Sequence, residues 1–247
     1  MAALAATAVA CVPRIERGPV AILEAERPLD PFARPDPQAP AVRFAATVFA
    51  GSAMDPSGQE GLAWLTVTTA AAEGGLQVHV GRDTSRLWVD CPPDEAADCL
   101  ARFVTALAEP AFEPAAVDAA RTTAMAALEA PSPQTLAREV LEGLVYDGHP
   151  YGHPVQGRTG VLPLLGPDDT RRFHRDHVRR ATVRVGLSGP FEPLLLERLT
   201  AQLDRVRGGM PPDTRTMGPV PVDGPRLFVV EHAGPTTILL GAAGPSP

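Results

Sequence analysis

The sequence predicts an α+β fold, an antiparallel-rich sheet covered by helices, and three observations carry that reading. Residues 41–49 and 181–187 alternate apolar and polar side chains with the period of two expected of half-buried strands. Between them lie several segments with helical spacing, such as Ala97, Leu100, Phe103, Val104 and Leu107 on one face of residues 92–108. Residues 76–80 and 86–90 read as a strand pair close enough to form a hairpin. Interleaved strands and helices that include a hairpin fit α+β better than a doubly wound parallel sheet.

The elements follow in order. Residues 28–40 are proline-rich and read as an extended lead-in, and the strand at 41–49 ends at Gly51-Ser52. Residues 59–72 have helical composition around a weakly helix-forming Thr-Val-Thr-Thr centre, and Gly74-Gly75 stop them. Pro92-Pro93 opens the helix that runs to Ala108. Helices are expected at 114–130, 133–145, 167–178 and 190–206, and a strand at 181–187. Residues 208–225 hold five prolines and read as a linker. Beyond it, 226–231 and 236–240 read as two strands with nothing to pair them, the start of a truncated second domain spanning 226–247.

Composition narrows the function. With 45% hydrophobic residues in 247, the chain can bury a sizeable core. The net charge is −7, without the clustered basic face of a nucleic-acid binder, so no nucleic-acid partner is expected. All 22 basic residues are arginine, which points to a GC-rich bacterial gene. Only 5% of residues are aromatic, too few for base-stacking platforms. No stretch has the ~20 consecutive apolar residues of a membrane-spanning helix. The three cysteines include no C-x-x-C pair, so Cys91 and Cys99 are expected to be packing residues and no disulfide is expected. Cys11 closes Ala8-Val9-Ala10-Cys11, a lipobox-like run that would anchor the chain to a membrane, although no arginine precedes it as a signal peptide requires. The compartment follows that residue: cytoplasm without an anchor, periplasm or cell envelope with one.

Several segments, in order, resemble the insulinase/pitrilysin family of zinc metallopeptidases. Val48-Phe49-Ala50-Gly51-Ser52 leading to Gly61-Leu62-Ala63 is similar to the family's strand, Gly-Ser turn and helix opening. Pro110-Ala111-Phe112 precedes a long helix, and His149-Pro150-Tyr151-Gly152 with Pro154-Val155-Gln156-Gly157 resembles the family's connecting loop. Residues 168–174, 183–189 and 235–241 extend the match across about 42–241. The resemblance implies a LuxS/mitochondrial-processing-peptidase-like fold, with residues 1–40 a leader and 41–207 the first metallopeptidase-like domain. It also implies the chemistry of the inverted zincin motif H-x-x-E-H, in which two His one helical turn apart hold Zn²⁺ and the Glu acts as general base. By that resemblance Trp64 occupies the first His position, Val67 the Glu, Thr68 the second His and Ala127 the distal ligand. None can ligate zinc as the family does, so the expectation is a non-catalytic homologue with no cofactor.

Other metal arrangements fare worse. His149 and His153 are separated by Pro150 and Gly152, which work against helical i, i+4 geometry. His174 and His177, three apart on a helix, are the remaining weak candidates, although structural roles at a helix end fit them better. Ser188 lacks the G-x-S-x-G setting of a hydrolase nucleophile. Arg171, Arg172, Arg175, Arg179 and Arg180 form a basic helix face, read as solvated surface. In this family some pairs contain one metal-free chain, so the resemblance implies a homologous peptidase subunit, self-association, or a peptide as partner. A scaffold role outside any peptidase, and an active enzyme with substitute ligands, are the alternatives.

Overall fold

A computed structural model describes residues 29–209, 224, 227–231 and 235–242. Cys11 and most of the expected linker lie outside the described residues. Five strands, β1 (Phe32–Pro35), β2 (Val42–Val48), β3 (Gln77–Val80), β4 (Ser85–Cys91) and β5 (Val183–Gly189), form one sheet in the order β1-β5-β2-β4-β3. The β5–β2, β2–β4 and β4–β3 pairings are antiparallel, and only β1 runs parallel to its neighbour β5. Among the described residues the α-helices are α1 (Leu62–Gly74), α2 (Ala96–Ala108), α3 (Pro114–Glu129), α4 (Pro133–Val145), α5 (Pro167–His177) and α6 (Pro193–Leu203). The expected α+β architecture is therefore present.

Side chains of alternate sheet positions build the core. Val42, Phe44, Ala46 and Val48 of β2, Leu87 and Val89 of β4, and Val183, Val185 and Leu187 of β5 all point to one face and are buried. They meet Leu62, Leu65, Leu100, Phe103 and Leu107 from α1 and α2, with the Phe44 and Phe103 rings 5.8 Å apart. Each of the valine, leucine and phenylalanine side chains contributes about 1.5–3 kcal/mol of hydrophobic stabilisation. Pro starts at α3, α4, α5 and α6 place a fixed φ where an amide donor is not needed.

Three sequence expectations need correction. The proline-rich lead-in is not all unpaired, because residues 32–35 form edge strand β1. Pro35 is tolerated as its last residue, where a lost donor costs little. Residues 227–231 and 236–240 form no strand among the described residues, because strand composition does not by itself provide a ladder partner. Cys91 and Cys99 are bonded to each other, across a Cα–Cα distance of 6.5 Å. The odd cysteine count and missing C-x-x-C argued against a bridge, yet the tight reversal at Pro92-Pro93 returns the first turn of α2 to the end of β4.

That bridge is buried at both ends, each residue about 1% exposed, and fastens α2 to the sheet. Removing it with a Cys91→Ala/Cys99→Ala double variant should lower the unfolding free energy by about 2–3 kcal/mol. Urea denaturation with and without reductant checks this: the wild type should lose a similar amount on reduction and the variant nothing.

Candidate functional site: the helix carrying the altered motif

The start of α1 is fixed by backbone packing before any side-chain chemistry is considered. Gly61 at its N-cap has φ 100°, a left-handed conformation that favours glycine. A Cβ there would sit 2.7 Å from Gly157 Cα, and one on Gly157, itself at φ 89°, would sit 2.5 Å from Glu60 O. Two motif segments nearly a hundred residues apart thus touch backbone to backbone. Asp55, fully buried, accepts from the Gly61 and Ala63 amides at 2.7 Å each, satisfying free donors of the first turn. A buried carboxylate at a helix N-terminus also meets the positive end of the helix dipole.

The neighbouring turns lock in the same way. A Cβ on Gly51 would lie 2.1 Å from Arg82 O, so the chain can pass here only as glycine. Ser52 and Ala53 amides donate to Gly81 O and Arg82 O, and Ser85 Oγ donates to Ala50 O at 2.6 Å. Arg82 donates through Nε to Tyr151 O at 2.8 Å and pairs through Nη2 with Glu142 at 2.6 Å. His153 Nδ1 lies 3.3 Å from Ser52 O. At the other end of α1, Glu73 accepts from the amides of Ala111, Phe112 and Glu113 at 2.9, 3.2 and 2.9 Å. These bonds hold Phe112 at φ 50° and set the entry to α3.

Solved structures share the fold that these contacts hold together. A "peptidase M16 inactive domain" from Pseudomonas fluorescens superposes with a TM-score of 0.66 at 18% identity, covering 76% of this chain and 50% of that one. This is the M16 peptidase fold. Pitrilysin gives a TM-score of 0.63 at 19% identity, over 76% of this chain and 23% of that one. The first half of the periplasmic protease PqqL from Escherichia coli gives 0.65 at 13% identity, over 77% and 47%. The chain thus spans half or less of each of these structures. No family model and no curated protein sequence matches.

Within the M16 fold, Trp64, Val67 and Thr68 lie at i, i+3 and i+4 of α1, one face of the helix. Trp64 is half-buried and packed against the core, Val67 is buried at 4% exposure, and Thr68 is half-buried. Thr66 and Thr69 donate back to the Leu62 and Leu65 carbonyls, but Thr68 Oγ1 is buried with no hydrogen-bond partner. Ala127 sits on the exposed side of α3, whose buried residues are Val117, Ala120 and Ala124. Among the described residues no three His, Cys, Asp or Glu side chains are grouped so as to hold a metal ion.

Three of the described histidines take structural places. His149 Nδ1 accepts from the Tyr151 amide at 3.1 Å and packs against the Tyr146 and Tyr151 rings. His174 Nε2 lies 3.1 Å from Leu107 O and so carries the proton it donates, with its ring edge-on to Phe112 at 5.5 Å. His177 stacks on Phe173 at 4.3 Å. The basic face is not merely solvated. Arg171 pairs with Asp168 and donates to Phe112 O, Arg172 pairs with Asp169, and Arg180 donates to Val206 O and Asp204 O. Ser188 is a half-buried position on β5 opposite Arg43. Asp55 and Glu73 escaped the sequence reading: Asp55 stands too far ahead of α1 for an ordinary cap, and Glu73 acts across a long sequence gap.

Asp55→Ala should cost about 2–4 kcal/mol, because two buried amides lose their acceptor. Asp55→Asn, which keeps one acceptor oxygen, should cost less, and chemical denaturation of the three proteins orders them. A second expectation concerns pH. Burial holds the His174 imidazole down to about 4, against the opposing pull of its bond to Leu107 O. The unfolded chain protonates near pH 6.5, so the folded state is favoured fully above that value and loses this advantage as pH falls toward 4. His174→Gln should remove up to about 3 kcal/mol of that pH dependence between 6.5 and 4, read as the difference between the two unfolding-versus-pH curves.

Proposed function

We propose that this protein is a non-catalytic homologue of the insulinase/pitrilysin peptidases that acts by binding, to a homologous peptidase subunit or to a peptide. One observation carries the reading: α1 carries Trp64, Val67 and Thr68 on one face, at the positions where the family resemblance would put two imidazoles and a carboxylate. An indole and an isopropyl group neither ligate zinc nor move a proton, and a lone threonine hydroxyl is a poor substitute. Asp55, Gly61 and Gly157 position this helix tightly, which supports a role needing the shape of the domain without its hydrolysis. The likeness to a solved M16 domain described as inactive supports the same conclusion.

On this reading the chain works without a bound metal, and His174 and His177 do not replace the lost ligands. On the same reading residues 227–242 lead toward a second domain, as the greater length of the Pseudomonas and PqqL structures supports. The Cys91–Cys99 bridge favours an oxidising compartment such as the periplasm over the cytoplasm.

The purified protein, assayed with quenched-fluorescence peptides in added zinc, should show no hydrolysis that a chelator removes. Native co-purification should return a chain bearing an intact H-x-x-E-H motif or a copy of itself. Chelator-sensitive cleavage that survives repeated purification would overturn the proposal.

A further inference from the structure

The helices cover one face of the sheet, and the opposite face carries an organised set of side chains that the reading above does not use. Its outward positions fall into three rows across the strands. The central row runs Phe32, Gly186, Ala45, Trp88 and Gln77 from β1 to β3. Phe32 is 77% exposed, Trp88 is half-exposed, and between them stand only the two smallest side chains available. Two aromatic walls are thus held three strand spacings apart, on the order of 14 Å, with a low floor between them. The row on one side holds Arg34, Ser188, Arg43 and Asp90, and the row on the other holds Arg184, Thr47, Arg86 and His79.

Charge on this face runs against the rest of the molecule. The chain carries −7 overall, yet the trough is bounded by Arg34, Arg43, Arg86 and Arg184 with Asp90 the one carboxylate in the three rows. Asp90 is already bound by Arg43 at 2.6 and 2.7 Å. Arg184 donates to the Ala181 and Val183 carbonyls at 3.3 and 2.9 Å and lies 5.8 Å from the Phe49 ring, which fixes it at the β5 end of its row. Arg34 and Arg86 are exposed. Gly186 is not demanded by packing, because a Cβ there would meet only Phe32 O at an ordinary 3.7 Å. Its missing side chain keeps the floor open.

We infer that this trough binds an acidic peptide segment, seating a bulky apolar side chain between Phe32 and Trp88 while flanking carboxylates pair with Arg34, Arg86 and Arg184. Guanidinium groups match carboxylates in bidentate geometry, and the aromatic walls supply contact area at little entropic cost. The inference rests on the binding role proposed above and adds its location and its chemistry. A nucleic acid, the other polyanion that these arginines could attract, is an arm of the test.

The test uses fluorescence anisotropy of a labelled decapeptide of Asp and Glu with one central Phe, titrated with the full-length protein at low salt. Saturable binding is expected, weakening at least tenfold when salt is raised to about 0.5 M and at least tenfold in Arg34→Gln/Arg86→Gln. Gly186→Leu should remain folded, with an unchanged circular-dichroism melt, and lose binding because its side chain fills the floor. Replacing the central Phe by Gly, or the acids by Lys, should abolish binding. Equal binding by Gly186→Leu, equal binding of the Lys peptide or of a single-stranded oligonucleotide, or no binding by the wild type would each overturn the trough. None of these outcomes touches the non-catalytic reading, which the hydrolysis assay decides by itself.

Discussion

Backbone contact between Gly61 and Gly157 is the constraint on which the arrangement of the domain depends. Neither residue can carry a side chain, because each would press its Cβ to within 3 Å of the other segment's backbone. Once they meet, the start of α1, the loop after α4 and the approach to α5 have one relative position. Asp55 then satisfies the amides left open by that start, and Glu73 does the same for the amides entering α3. Both ends of α1 are therefore tied by carboxylates to backbone, and the helix has little freedom to shift or rotate.

The helix so fixed presents a face of Trp64, Val67 and Thr68, none of which is an imidazole or a carboxylate. Trp64 and Val67 have joined the hydrophobic packing, which rewards burial of apolar area and requires no partner. Thr68 has kept a polar atom without finding it a bond. The contacts that position α1 are thus backbone packing and carboxylate-to-amide bonds, while Trp64 and Val67 on its face belong to the apolar packing. Among the described residues, the sheet face opposite the helices carries arginines at both margins of a floor of small residues.

How far the sequence revealed this depends on the range of each interaction. Helices α3 and α4 and strands β2, β4 and β5 were legible because their signals are local: a proline start, a period of 3.6 or 2, a glycine stop. The placement of Trp64, Val67 and Thr68 on one helix face was legible for the same reason. Strand β1 was hidden by its prolines, since its pairing depends on β5, about 150 residues later. The Cys91–Cys99 bridge was hidden because it needs the fold of a strand-to-helix reversal, which no count of cysteines encodes. Asp55 and Glu73 act on amides that become neighbours only after packing. Residues 227–231 and 236–240 have the composition of strands, but composition cannot supply a partner strand.

The central claim is that the α1 face offers no metal site, and anomalous diffraction at the zinc absorption edge tests it most directly. Crystals of the full-length protein grown with excess zinc should show no anomalous peak beside Trp64, Val67 and Thr68. A peak on that helix, or one held by converging histidine and carboxylate side chains of this same chain, would contradict the account.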